Sequence, residues 1–410
     1  MRLYLERTFD LEVRLWSRLT DTRKQPRIPT WVAAKAVWLA MIARMGSLNA
    51  LEETSGPHWR KWLAGQELCS ADTVSLIYSR QDNQPLRDAI HDVYVTLKRN
   101  KALPLNHGQA VAIVDGHESH ASFDYHCEDC LTRVIHTEKG DRIQYYHRHV
   151  ALMLAPGPSN AQDESMRLLL DLEPVQAGED EVAAARRLIR RVVEAYPRAF
   201  DLVLADSLYA NTPFLDFLLS LGKHGLIVFK QEQRELYQQA LAAMADQKPV
   251  RSEFRGRDCR WWDVGNLALP LQHDVPVRVI RSEEHWTTQP RNSDLPKPHD
   301  ATWMWLTTMD RHQLPLCHAV HIAHQRWDIE NYGFNETVTG WHADHVYRHN
   351  TNALVGFLLT LFLAYNLFFA FVLRNLKPEL RRLYTHRYWA RLVEAALVGP
   401  SDPLFAPNDA

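Results

Sequence analysis

Val111-Ala112-Ile113-Val114-Asp115 is a run of four apolar residues that ends at an aspartate, and Leu202-Val203-Leu204-Ala205-Asp206 repeats the pattern. Short apolar runs of this length predict buried β-strands. A third acid, Glu330, ends a stretch of helical appearance that begins near His318. The sequence therefore predicts an α/β protein with two acids at strand ends, where open α/β sheets usually bind ligands, and a third acid on a helix.

The three carboxylates of Asp115, Asp206 and Glu330 suit a site for divalent metal. Mg²⁺ takes oxygen ligands, usually one or two carboxylates together with water and substrate phosphate. Two such ions about 3.5–4 Å apart can stabilise both the attacking and the leaving oxygen of an in-line displacement. Without metal the arrangement is costly, because like charges raise each other's pKa. A single acid at a strand end is common in α/β proteins and needs no function to explain it. The ordered set of three acids favours a site that cleaves phosphodiester bonds.

Length and composition indicate a globular protein. The chain has 410 residues, of which 46% are hydrophobic and 23% are charged. A net charge of −2 gives no overall attraction to nucleic acid, so any DNA contact depends on local patches. Residues 1–105 and 374–391 are such basic patches, with ordinary solvated faces as the alternative. Five cysteines, an odd number, do not make a disulfide framework. We therefore expect a reducing compartment, the cytoplasm.

One segment admits a membrane alternative. Ala353–Leu373 contains no Asp, Glu, Lys or Arg and is long enough to cross a bilayer. The other interpretation is a helix buried on all sides in a large core. Thr360, Tyr365 and Asn366 interrupt the apolar run. We therefore predict a core helix and expect no membrane partner.

Changes of pattern along the chain predict five regions. Residues 1–105 form a helical N-terminal region that is a candidate for binding DNA ends. A first part of the α/β core follows at 106–230 with Asp115 and Asp206, and a β-rich insertion follows at 231–300. The second part of the core, at 301–375, contains Glu330 and the long apolar helix, and a basic C-terminal tail occupies 376–410.

Two smaller motifs leave alternatives open. His126-Cys127-Glu128-Asp129-Cys130 has the cysteine spacing that zinc prefers, and the alternative is a pair of reduced loop cysteines. Trp261 and Trp262 in the insertion could stack on DNA bases, and the alternative is a small hydrophobic core.

The order of strand with Asp, strand with Asp, β-rich insertion and helix with Glu resembles the DDE transposases, which have an RNase H-like catalytic core. The similar group is the one related to the IS4 insertion sequences. The resemblance is carried by three segments, of which the last is the most specific: Val114-Asp115-Gly116-His117-Glu118, Ala205-Asp206-Ser207-Leu208-Tyr209-Ala210-Asn211 and Arg326-Trp327-Asp328-Ile329-Glu330-Asn331.

The resemblance implies a fold, a reaction and roles for residues. The fold is an RNase H-like mixed sheet with flanking helices, interrupted by the β-rich insertion and preceded by the helical N-terminal region. Asp115, Asp206 and Glu330 are the implied catalytic metal ligands for two Mg²⁺ ions, with Mn²⁺ as a substitute. Arg326 is the implied contact to DNA phosphate, and we expect it to share a helix face with Glu330, which follows four residues later. An ion pair of Arg326 with Glu330 or Asp328 is the alternative.

The implied function is cut-and-paste DNA transposition in the bacterial cytoplasm, with association to the nucleoid when DNA is bound. The implied partners are double-stranded DNA with terminal inverted repeats, target DNA and a second copy of the chain that pairs the two DNA ends. The sequence departs from the family motif at Ala323, where a tyrosine is usual, and at Thr337, where a lysine is usual. His324 and Arg348 are candidate substitutes. These departures leave open a catalytically decayed DNA-binding relic of the same fold.

Overall fold

The computed structural model describes residues 1–54, 57–138, 140–157, 165–289 and 295–398. The chain divides into two compact units. The first unit comprises Met1–Pro104, Gly116–Tyr196 and Ile329–Ala410, and the second comprises Leu105–Asp115 and Pro197–Asp328. Strand β1 (Val111–Ser122) passes from the second unit into the first directly after Asp115.

Helices account for most of the first unit. Its helices are α1 (Arg2–Phe9), α2 (Leu11–Arg14), α3 (Thr30–Ile42), α4 (Leu48–Glu53), α5 (Pro57–Trp62), α6 (Ala71–Tyr78), α7 (Gln84–Arg99) and α8 (Glu181–Ala195). The second unit contributes α9 (Thr212–Ser220), α10 (Glu235–Ala245) and α11 (Leu316–Ala323). The first unit resumes with α12 (Glu336–Trp341), α13 (Thr351–Asn375), α14 (Pro378–Leu383) and α15 (His386–Val398). The predicted all-helical N-terminal region is confirmed.

The apolar helix α13 is the centre of the first unit. It packs against α3, α6, α7 and the strand Leu168–Pro174. By length and composition α13 could cross a membrane, but 94% of its most apolar window is buried inside the protein. Burial of this kind is what a core helix shows, and a single helix of this type is weak evidence for a membrane span.

The strands after β1 are β2 (Leu131–Thr137), β3 (Gly140–Leu154), β4 (Leu168–Pro174), β5 (Leu202–Ala205), β6 (His224–Val228), β7 (Val250–Phe254), β8 (Arg257–Leu267), β9 (Val277–Thr288) and β10 (Lys297–Thr307). In the first unit β2 and β4 both pair antiparallel with β3, which neighbours β1. In the second unit the order is β1-β5-β6-β10-β9-β8-β7. The predicted mixed α/β fold class is confirmed.

The strand pairing of the second unit explains the position of the acids. β1 runs parallel to β5, and β5 runs parallel to β6. β10 then pairs antiparallel with β6 and with β9. The strands β7 to β9 of the predicted insertion therefore extend the sheet that contains β5 and β6. The parallel strands β1 and β5 lead their two aspartates to the same edge.

One boundary prediction is wrong. β1 was expected to stop at Asp115, but it continues to Ser122. β3 is hydrogen-bonded to β1 in the sheet and gives it a second neighbour besides β5. The region predicted as a basic tail contains α14 and α15, while residues 399–410 lie outside the described part of the chain.

Candidate active site

The register of two parallel strands aligns Asp115 with Asp206. Ala112 lies beside Val203 and Ile113 lies beside Leu204. Two further residues along each strand are Asp115 and Asp206. Asp115 is buried, whereas the Asp206 side chain is 36% exposed. One carboxylate is therefore fixed in the protein while the other is open to solvent.

Arg326 lies against both aspartates. Its Nη2 donates to Asp115 Oδ2 at 3.3 Å and lies 3.8 Å from Asp206 Oδ2. The Arg326 side chain is buried, and its guanidinium carbon is 4.4 Å from the centroid of the Trp327 ring. The contacts described for Arg326 include ion pairs with Asp115 and Asp206, and the alternative pairing with Glu330 or Asp328 stays a prediction. A buried guanidinium provides the positive charge that two neighbouring carboxylates require.

The turn after β5 holds the Asp206 carboxylate in place. Asp206 caps the 3₁₀ turn Ser207–Tyr209, since its Oδ1 accepts from the Leu208 N–H at 2.8 Å. Asn211 caps α9 by accepting from the Phe214 N–H at 3.0 Å. Tyr209 is fully buried. Most polar side chains of this motif therefore shape the backbone, and one oxygen of Asp206, Oδ2, faces Arg326.

Residues after β6 brace the same turn. Gln231 Nε2 donates to the Ser207 carbonyl at 2.8 Å, and Arg234 Nη1 donates to the Ala210 carbonyl. These bonds tie the turn that follows Asp206 to the chain between β6 and α10. Sequence reasoning did not identify these two supporting residues, because neither belongs to a recognisable motif.

The segment that carries Arg326 is an irregular helix. α11 ends at Ala323, a 3₁₀ helix covers His324–Trp327, and a π-helix covers Ile329–Asn335. The expectation that Arg326 and Glu330 share a regular α-helical face is therefore wrong. A 3₁₀ helix has 3.0 residues per turn and a π-helix is wider than an α-helix, so the 3.6-residue period does not apply. Short π-helical turns are frequent at functional sites.

His324 anchors the start of this irregular segment to the sheet. Its Nε2 lies 2.6 Å from Glu284 Oε1, and both side chains are buried. Glu284 also accepts from Ser282 Oγ at 3.0 Å and from Arg257 Nη1 at 2.6 Å. Burial raises the pKa of Glu284, but these donors outweigh it and lower that pKa below its usual value. The insertion strands β8 and β9 therefore fix the turn that presents Arg326.

Glu330 belongs to the first unit, in the π-helix. Ile329 and Phe334 of this helix are buried, and Tyr365 of α13 donates its hydroxyl to the Tyr332 carbonyl at 2.9 Å. Glu330 itself is partly exposed. The structure thus joins Asp115, Asp206 and Arg326 in one cluster of the second unit and places Glu330 on a helix that is fixed to α13.

The donor set of the cluster fits a hard cation. Carboxylate oxygens are the ligands that Mg²⁺ prefers, and Asp206 is open to solvent. Among the described residues, however, the three acids do not form a group whose ligand atoms all lie within 4.8 Å of one another. The Arg326 guanidinium lies between the two aspartates, with Nη2 3.3 Å from Asp115 Oδ2 and 3.8 Å from Asp206 Oδ2.

The two departures from the family motif are both buried positions. Ala323 is the last residue of α11 and is 3% exposed. Thr337 is 4% exposed, and its hydroxyl donates to the carbonyls of Gly333 and Phe334. Of the candidate substitutes, His324 is engaged by Glu284, and Arg348 Nη1 donates to Ser75 Oγ at 3.1 Å.

The remaining candidate residues have different surroundings. Trp261 is 2% exposed, so its predicted stacking on a DNA base is incompatible with its place in the core. Trp262 is partly exposed and its Nε1 donates to the Gln247 carbonyl at 3.2 Å, so base stacking by this residue stays a prediction. His126 stacks on Tyr145 with ring centroids 4.5 Å apart.

Cys127 and Cys130 meet two histidines other than the expected His126. They form a group with His147 and His349 in the first unit. Sequence reasoning missed these histidines because they stand far from the cysteines in the chain. The signal that could have identified His147 is the pairing of β2 with β3, which places the residue before Leu131 beside the residue after Tyr146.

Comparison with known families gives one match. Residues 109–367 match the family described as the transposase DDE domain. This range covers well over half of the 410-residue chain and includes Asp115, Asp206, Arg326 and Glu330. No curated protein matches the chain.

Proposed function

This chain belongs to the transposase DDE domain family, and from that premise we propose that it cleaves DNA strands and transfers them during transposition of an insertion sequence. The observation that carries the proposal is the cluster of Asp115, Asp206 and Arg326 at the ends of parallel strands. Two carboxylates and a guanidinium together provide ligands for a cation and a donor for phosphate.

We propose Asp115, Asp206 and Glu330 as the residues that hold Mg²⁺, with Mn²⁺ as a substitute. When bound, such ions supply charge that stabilises the attacking and leaving oxygens at phosphorus. Asp115 provides a rigid ligand because it is buried in β1, and Asp206 provides a ligand whose orientation is set by its cap on Leu208.

Arg326 has two kinds of partner in this proposal. Its guanidinium neutralises Asp115 and Asp206. If the acids held cations, those ions would balance the carboxylate charges, and the guanidinium would be available to hold a phosphate of the DNA end with two parallel hydrogen bonds. Its stacking on Trp327 holds the side chain beside the cluster.

The finer assignment also rests on the motifs around the acids. We propose membership of the IS4-like group, cut-and-paste transposition, double-stranded DNA with terminal inverted repeats as substrate, and a dimer that pairs two ends before they join target DNA. The cytoplasm is the proposed location. The irregular helix that carries Arg326-Trp327-Asp328-Ile329-Glu330 supports a functional role for this segment, because short π-helical turns are frequent at functional sites.

The decisive experiment is a cleavage assay. Purified protein is mixed with a duplex that carries the DNA ends flanking its own gene, with Mg²⁺ or Mn²⁺ added. We expect strand cleavage at the repeat boundary that requires metal and is lost in Asp206→Ala, while DNA binding remains. Asp201→Ala is the matched control, since Asp201 is an exposed aspartate at the start of the same strand segment. Cleavage by Asp206→Ala, or cleavage without divalent metal, would contradict the proposal.

The alternative function is a DNA-binding relic of the same fold. Ala323 and Thr337 favour it, because they replace the tyrosine and lysine of the family motif. The same assay separates the two functions: a relic binds the terminal duplex but does not cut it in the wild-type form, whatever metal is supplied.

A further inference from the structure

A second candidate centre lies in the first unit, within the group of Cys127, Cys130, His147 and His349. Cys127 and Cys130 stand in the loop between β1 and β2, His147 is in β3, and His349 precedes the N-cap residue of α13. Their ligand atoms all lie within 4.8 Å of one another. Three separate segments thus converge on one point.

The distances between these atoms are those of a tetrahedral zinc centre. Zinc–sulfur bonds of about 2.3 Å and zinc–nitrogen bonds of about 2.0–2.1 Å at tetrahedral angles give sulfur–sulfur distances of about 3.8 Å and sulfur–nitrogen distances of about 3.6 Å. The Sγ atoms of Cys127 and Cys130 are 3.7 Å apart. His147 Nε2 lies 3.3 Å from Cys127 Sγ and 3.5 Å from Cys130 Sγ. His349 Nδ1 lies 3.8 Å from Cys130 Sγ.

The backbone prepares this arrangement without a disulfide. The Cys130 N–H donates to the Cys127 carbonyl at 3.2 Å, which closes a tight turn, and the Cys127 N–H donates to Cys130 Sγ at 3.2 Å. Antiparallel pairing of Leu131 with Tyr146 places the neighbouring residues Cys130 and His147 side by side. The sulfur atoms are much farther apart than the roughly 2.05 Å of a disulfide, and both cysteines are free thiols.

We propose that Cys127, Cys130, His147 and His349 bind a structural Zn²⁺ ion. Two thiolates and two imidazoles are a ligand set that favours zinc over the oxygen-preferring Mg²⁺. Four protein ligands complete the tetrahedron and leave no position for substrate, so the role is structural rather than catalytic. Cys130 and His147 are buried, which shields the centre from solvent.

The ion would join distant parts of the first unit. Cys130 and His349 are 219 positions apart in the chain. His349 is followed directly by Asn350, whose Oδ1 accepts from the Ala353 N–H at 3.0 Å and caps α13. Zinc therefore fixes the beginning of the core helix to the β2–β3 hairpin.

The test measures metal in untagged full-length protein that is purified without added metal and then dialysed. We expect roughly one zinc per chain by elemental mass spectrometry. Cys127→Ser and His349→Ala are expected to lose at least nine-tenths of it. His126→Ala and Cys317→Ser are the matched controls, since His126 precedes the first cysteine and Cys317 is an exposed cysteine of the second unit. Both controls are expected to keep their zinc.

A second measurement does not depend on variants that could fold poorly. Wild-type protein in which Co²⁺ replaces zinc is expected to show the absorption bands of tetrahedral cobalt with thiolate ligands, and Mg²⁺ is expected not to displace it. Absence of zinc from wild-type protein, a Cys127–Cys130 disulfide, or equal zinc content in His349→Ala and wild type would overturn the proposal. Asp206→Ala is expected to keep full zinc content, so failure of this centre and failure of the proposed cleavage site are distinguishable.

Discussion

The ion pairs of Arg326 predict a large and asymmetric effect on stability. At an effective dielectric constant of about 20, unit charges attract by about 5 kcal/mol at the 3.3 Å that separates Arg326 from Asp115. They attract by about 4 kcal/mol at the 3.8 Å that separates Arg326 from Asp206. The exposure of each aspartate side chain decides how much of this attraction contributes to stability. Asp206 is 36% exposed, so its share falls to about 1 kcal/mol or less.

Arg326→Gln removes the guanidinium that pairs with the buried Asp115 carboxylate. Loss of one partner of a buried pair costs about 3–5 kcal/mol. For a unit of roughly 150 residues, this lowers the midpoint of thermal unfolding by about 6 °C or more. Differential scanning calorimetry of Arg326→Gln, Asp115→Asn and the double variant gives the coupling between the two residues. The expected coupling is about 2 kcal/mol or more, whereas the same cycle with Asp206→Asn gives about 1 kcal/mol or less.

Metal provides a further readout of the same cluster. Mn²⁺ is expected to restore part of the decrease in the midpoint of thermal unfolding of Arg326→Gln. It is expected to have no such effect on the double variant with Asp115→Asn, because that variant lacks the Asp115 carboxylate as a metal ligand. The reasoning is refuted if Arg326 couples to Asp206 as strongly as to Asp115. It is equally refuted if both couplings fall below about 0.5 kcal/mol.

Two further predictions concern pH and the family departures. Burial raises the pKa of Asp21, but hydrogen bonds from Arg23 and Thr30 outweigh it and lower the pKa to about 2. This carboxylate therefore stabilises the fold above its unfolded pKa of about 3.9, and the free energy of unfolding falls by about 2 kcal/mol as pH falls from 4 towards 2. Urea titrations at several pH values should show a smaller decrease of this free energy in Asp21→Asn. Thr337→Lys, which restores the family residue, is expected to destabilise the protein by about 2–4 kcal/mol because it buries an ammonium group and removes two hydrogen bonds. Thr339→Lys, at an exposed position two residues later, is the control and is expected to change stability by less than about 0.5 kcal/mol. A gain of cleavage with unchanged stability in Thr337→Lys would contradict the predicted destabilisation.

The sequence predicted the elements whose signal is local. Four apolar residues before Asp206 predict β5, and the long run without charged residues predicts α13. β4 was not predicted, because Asp171 and Glu173 interrupt its apolar run; Asp171 is buried there through ion pairs with Arg87 and Arg191. β2 was also missed, because its exposed residues show no apolar alternation and the hairpin with β3 defines it.

The candidate site could be predicted only in part from the sequence, for a related reason. Asp115 and Asp206 follow from strand ends, and parallel pairing brings them together. The position of Arg326 depends on a helix that changes from α to 3₁₀ to π, and no simple periodicity encodes such a change. The grouping of His147 and His349 with Cys127 and Cys130 could not be predicted from the sequence, because it depends on contacts between residues that are far apart in the chain.

The long helix α13 also determines when the first unit can complete its core. It packs against α3, α6 and α7, and roughly 300 residues separate the end of α3 from the start of α13. At a synthesis rate of about 5–20 residues per second, α3 exists for some fifteen seconds to a minute before its partner does. During that time the apolar faces of the N-terminal helices have no α13 to cover them. A chain whose synthesis stops before Thr351 therefore yields an aggregation-prone fragment rather than a smaller folded protein.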